Sequence, residues 1–122
     1  MSAGKYSFVI EQGATVDFGI QYRDSNNNPV DLTNYSGKMQ IRSGYADSNP
    51  TTYATLSSSL AADGTGLNFS NAISGSIGVY ISAASSSAFT FGSAYYDLEI
   101  TSGSVVTRLI EGQIRLSQQV TV

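Results

Sequence analysis

The sequence predicts an all-β protein, an antiparallel β-sandwich of roughly seven to eight short strands in a single domain spanning residues 1–122. Three observations predict it. Apolar and polar residues alternate with period two from end to end, the spacing of strands that bury one face. Turn-forming clusters of Gly, Asn, Asp and Ser recur at about the 8–12-residue spacing of sandwich strands. Helical periodicity is almost absent, which leaves room for one short helical turn at most.

Each element follows from local pattern. Tyr6 to Ile10 reads as a first strand, broken by Glu11-Gln12-Gly13. Val16, Phe18, Ile20 and Tyr22 then alternate with polar or small residues in a second strand. Asp24-Ser25-Asn26-Asn27-Asn28-Pro29 is a dense turn signal, since Asn and Asp bond their own backbone and tolerate left-handed conformations. Val30-Asp31-Leu32-Thr33 leads into a strand from Gly37 to Arg42, with Met39 and Ile41 facing inward. A polar loop from Ser43 to Thr52 precedes short strands at Tyr53–Leu56 and Leu67–Phe69, separated by an Asp63-Gly64-Thr65-Gly66 turn. Ile77, Val79 and Ile81 mark a strong strand. Ser82 to Phe89 is the one helix-compatible piece, with Ser82 as its N-cap. Tyr96, Leu98 and Ile100 alternate with Tyr95, Asp97 and Glu99, and Ser102-Gly103-Ser104 turns into a last strand from Val105 to Leu116. There Leu109 and Ile110 are adjacent apolar residues followed by Gly112, which predicts a β-bulge.

Composition narrows function. Charged residues are 12% of the chain against about 25% in globular proteins, while hydrophobic residues reach 41%, the reverse of a disordered composition. Six Lys or Arg and a net charge of −3 give no basic stripe to neutralise phosphates, so no nucleic-acid partner is expected. The absence of Cys and His removes disulfides, thiolate and imidazole metal sites and every mechanism that needs either residue. No apolar run approaches the ~20 residues of a membrane helix and the N-terminus has no signal-like core, so synthesis in a cytoplasm without export, and no membrane partner, are expected.

Few groups invite chemistry. Asp97 and Glu99 share one strand face, the arrangement a paired-carboxylate hydrolase would need, but alternation alone puts them on a solvated face. The Asp24 loop starts like a calcium loop, yet Pro29 and Tyr35 occupy the places of its glycine and its bidentate glutamate. Gly64, Gly66, Gly75 and Gly78 open no helix and read as turns and strand ends rather than a phosphate cradle. No catalytic, metal or cofactor-binding residue is expected, and the chain reads as a non-enzyme. Among eight tyrosines, Tyr6, Tyr22, Tyr35 and Tyr96 fall on apolar faces as core or corner residues. Tyr80 and Tyr95 fall on the opposite phase and are interface candidates, as are Val120 and Val122 beyond the last clear alternation. The Met1-to-Lys5 segment and this tail are candidates for strand addition to a neighbouring subunit.

Longer motifs carry a family likeness. Glu11-Gln12-Gly13-Ala14-Thr15 before a strand, then Asp24 through Pro29-Val30 to Asp31-Leu32-Thr33-Asn34-Tyr35, then Met39-Gln40-Ile41-Arg42, resembles small virion structural proteins of tailed bacteriophages. Gly75 to Ser82, Tyr95 to Ile100 and Arg108 to Ile114 extend the likeness over nearly the whole chain. The pattern is similar to the immunoglobulin-like N-terminal domain of upper baseplate proteins, and at full length to virion proteins of contractile-tailed cyanobacterial phages. Asn27 and Asn34 stand where the family usually has Gly, so both are expected to take positive φ. The resemblance implies an immunoglobulin-like sandwich and a non-enzymatic role in a phage tail or baseplate. It also implies location in the virion, and partners that are other virion proteins and copies of itself in a homo-oligomer. The alternatives are a capsid decoration or collar protein and a carbohydrate-binding module that stacks Tyr80 or Tyr95 on sugar rings.

Overall fold

The computed structural model describes residues 4–44 and 49–120. Within them lie nine strand segments: β1 (Gly4–Lys5), β2 (Phe8–Glu11), β3 (Val16–Gln21), β4 (Ser36–Arg42), β5 (Thr52–Ser57), β6 (Gly66–Asn68), β7 (Ser76–Ile81), β8 (Ser93–Ser102) and β9 (Val105–Ser117). The chain therefore exceeds the expected strand number, because the N-terminal strand is split and both halves pair with β9. Helix α1 (Ala83–Ser87) sits where the sequence placed it, and a 3-10 turn at Ala72–Ser74 is a second helical piece that periodicity did not show.

Two sheets pack face to face. The larger runs β1-β9-β8-β4-β5 with β2 also on β9, and the smaller runs β3-β7-β6. Every pairing is antiparallel except those of β1 and β2, which lie parallel to β9. Inward positions alternate as the period demands: Met39 and Ile41 on β4, Ile77, Val79 and Ile81 on β7, and Tyr96, Leu98 and Ile100 on β8 are all buried. The expected bulge is present, since Leu98 pairs with Ile110 but Glu99 with Arg108, leaving Leu109 as the extra residue.

One crossing organises the N-terminal edge. Gly112 on β9 lies under residues 6 and 7, and a Cβ there would sit 2.0 Å from the Tyr6 carbonyl oxygen. That carbonyl accepts a hydrogen bond of 2.6 Å from the Tyr96 hydroxyl. Burial, with Tyr6 nearby, pushes the Tyr96 phenol above its ordinary range. Tyr6 itself is 48% exposed, contrary to the core or corner expectation. Its ring stacks on Phe8 and meets Phe18 edge-on instead of entering the core, because the chain at Tyr6 is passing over Gly112 between β1 and β2. Tyr22 and Tyr35 are half-buried, and only Tyr96 of the four is fully inside.

Candidate interaction surface

The outer face of the large sheet carries most of the charge. Cross-strand register sets Lys38 beside Glu99, Glu99 beside Arg108, and Asp97 beside Glu111. The Arg108 guanidinium lies 3.4 Å from Asp97, 3.8 Å from Glu99 and 3.4 Å from Glu111, and Lys5 pairs with Glu111 from β1. Asp97 and Glu99 do share a face, as alternation requires, with a cation over both. Such a group holds three carboxylates together through one guanidinium on an open surface, where each pair contributes at most about 1 kcal/mol.

The structure separates the interface candidates. Tyr80 lies half-buried on the outer face of the small sheet, its ring against Gly64 at the turn before β6. Tyr95 lies half-buried on the outer face of the large sheet, opposite Arg42 and Gln113. The two tyrosines are thus on opposite sides of the sandwich and form no common platform. Val120 is 96% exposed. Just before it, the Gln119 N–H donates to Gln12 Oε1, and the Gln12 amide donates to the Phe89 carbonyl, so the tail is tethered to the β2–β3 turn up to Val120. Val122 and Met1 to Ala3 lie outside the described residues, while Gly4 and Lys5 pair with Ile110 and Glu111 of the same chain rather than standing free.

The turns behave as their residues dictate. Asp24 Oδ1 accepts from the N–H groups of Asn26 and Asn28, closing a hairpin in which Arg23 bridges to Pro29. Asn27 has φ 65° and Asn34 φ 68°, as expected at both positions. Gly64 and Gly75 take positive φ in turns, but Gly78 is inside β7, opposite Gly19 of β3, not at a strand end. Asp31 accepts from Thr33, which holds its carboxyl below the ordinary value.

Sequence reasoning identified Ser82 as a cap and Asp63 as a turn residue without joining them. Ser82 Oγ accepts from the Ser85 N–H as N-cap and donates to Asp63 Oδ2 at 2.6 Å. Ser85 Oγ adds a second donor, and the Thr65 N–H bonds Asp63 Oδ1. The Ser82 hydroxyl first, then the Thr65 N–H, hold the Asp63 carboxyl well below the carboxylate range. This clamp fastens α1 to the turn between β5 and β6. On the other side of the helix, buried Ser86 donates to the Ala14 carbonyl and accepts from the Gly13 N–H.

At the end of the sandwich, the β3–β4 and β6–β7 connections enclose an open hollow of about 530 Å³ with Tyr35, Phe69 and Ile73 on its walls. Neither Asp97 nor Glu99 lines it. No helix among the described residues is long and apolar enough to cross a membrane. No known family and no curated protein matches the chain.

Proposed function

We propose that this chain is a non-enzymatic structural component of a bacteriophage particle, in the tail or baseplate, that works through protein–protein assembly on an immunoglobulin-like sandwich. The fold reading rests on strand order. With β3, β7 and β6 as strands B, E and D, and β4, β8, β9 and β5 as C, F, G and C′, the strand orders are those of that fold, except that the N-terminal strands lie on G rather than beside B. The helical connection α1 then joins E to F. The observation that carries the phage reading is the backbone at the two family glycine positions. Asn27 and Asn34 both adopt the positive φ for which the phage pattern carries Gly, inside the segment where the resemblance is densest. A low-charge sandwich on which Arg108 gathers Asp97, Glu99 and Glu111 on one outer face suits a part that is packed among neighbours.

Mass spectrometry of purified virions, with tails separated from heads, tests the proposal. The expected result is recovery in the tail fraction, alongside other virion proteins. Absence from particles overturns the reading, and recovery only with heads turns it into a capsid decoration or collar protein. Removing Gln118 to Val122 breaks the Gln119–Gln12 bond but, among the described residues, no strand pairing. That truncation is expected to leave the domain folded and to reduce incorporation if the tail reaches a neighbour.

A further inference from the structure

We propose that the open edge of β3 is a dimerisation site, at which two copies of this chain join their small sheets antiparallel about a two-fold axis through Gly19. The inference stands on the geometry of β3 and goes beyond the particle reading.

The sheet edges differ in length and regularity. β6 has three residues, and β2 has four. β5 is interrupted where the register shifts between Ile41 and Arg42, a device that turns an edge away from further pairing. Among the described residues β3 alone is a six-residue edge in unbroken register, Val16 opposite Ile81 through Gln21 opposite Ser76. Among the described residues no strand lies on its other side.

The Tyr22 N–H donates to the Gly75 carbonyl, toward the β7 side. Alternation along the strand then aims the N–H and C=O groups of Asp17, Gly19 and Gln21 outward. Setting Gly19 against Gly19 of a second copy places Asp17 against Gln21 and Gln21 against Asp17. Outward groups therefore face outward groups at every pair, for about six main-chain hydrogen bonds. Glycine at the axis leaves that crossing free of side chains.

Asp17 makes no ion pair among the described residues, and neither does Arg23. Arg23 donates to Gln21 Oε1 at 2.6 Å, so its guanidinium lies over Gln21. In the proposed register Gln21 faces Asp17 of the second copy, and Arg23 becomes that carboxylate's diagonal neighbour, within reach of a long side chain. The two-fold axis makes this contact twice. On the inner side, Phe18 and Ile20 are only half-buried now, and each would face the other residue of the second copy. Self-complementarity of hydrogen bonding, charge and apolar cover commits the site to a second copy of this chain.

Sedimentation of the full chain up to about 1 mM tests this. A reversible monomer–dimer equilibrium is expected. Asp17→Arg and Arg23→Glu should each weaken it about tenfold, and combining them should restore most of the loss. Gly19→Pro should abolish the dimer while leaving the monomer cooperatively folded by circular dichroism, because the lost N–H faces away from β7. A monomer at every concentration overturns the proposal without touching incorporation into virions. A dimer indifferent to both Asp17→Arg and Gly19→Pro overturns it as well. So does a dimer lost only when residues 118–122 are removed, since the added strand would then be the tail.

Discussion

Gly112→Ala should be among the more damaging single methyl additions this fold can receive. The new Cβ would lie 2.0 Å from the Tyr6 oxygen and 2.7 Å from its carbon, and both are backbone atoms that cannot swing aside. The N-terminal strand must lift. Lifting it strains or breaks the Tyr6 N–H bond to Glu111, the Gln113 N–H bond to Ser7 and the Tyr96 hydroxyl bond to Tyr6. Overpacking of this kind costs about 1–3 kcal/mol. A buried phenol left without its acceptor adds about 1–3 kcal/mol. Restricting the unfolded chain returns at most about 1 kcal/mol. The net loss is about 3 kcal/mol, or roughly 10–15 °C in melting temperature for a domain of this size. Urea and thermal unfolding of Gly112→Ala, Tyr96→Phe and the double variant would test the chain of cause. Tyr96→Phe alone should cost about 1 kcal/mol. The double variant should lose less than the sum of the two single losses, because the first already removes the bond the second deletes. A Gly112→Ala protein as stable as the parent, or full additivity, would refute the reasoning.

Asp63→Asn should lower the melting temperature at neutral pH and flatten its acid dependence. The folded carboxyl lies below the ordinary value, so its contribution is present in full above about pH 4 and fades as the pH falls further. An unchanged acid profile by circular dichroism would exclude the clamp on α1. Val79→Asp places a carboxylate at a position with no exposure, between Phe18 and Leu67, and should cost most of the stability of about 5–15 kcal/mol typical of a domain. A soluble, cooperatively melting variant would mean that β7 faces the other way. Asp97→Asn with Glu99→Gln should shift stability by about 1 kcal/mol or less, read by urea unfolding, since both pairs with Arg108 are more than a third exposed.

Much of what depends on neighbouring residues is legible in the sequence, although the 3-10 turn at Ala72–Ser74 is not. The cap at Ser82, the bulge at Leu109 and the inward phases of β4, β7 and β8 each follow from a few adjacent residues. Alternation reports which face a residue takes, but is silent on which strand lies beside it. Hence the split N-terminal strand beside β9 and the passage over Gly112 that leaves Tyr6 half outside are not legible in it. The Asp63–Ser82 bond escapes local pattern for the same reason, because it joins two positions nineteen apart in the chain.

The candidate site shows the same division more sharply. Tyr80, Tyr95 and Val120 were singled out because each is a large side chain out of phase with the core, and side-chain phase is what a sequence displays. The β3 edge has no such mark: Asp17, Gly19 and Gln21 look like the ordinary polar half of an amphipathic strand. Its distinguishing property belongs to the backbone, namely which N–H and C=O groups lack a neighbour, and that is decided by sheet order. A chain poor in charge has few side chains with which to guard an edge. Here β5 is guarded by a register shift, while β2 and β6 are limited by length. Among the described residues, the one edge left regular is also the one whose own charges can pair with those of a copy of itself. If two copies join there as proposed, a guard on β3 would block the pairing, and its absence is what that assembly requires.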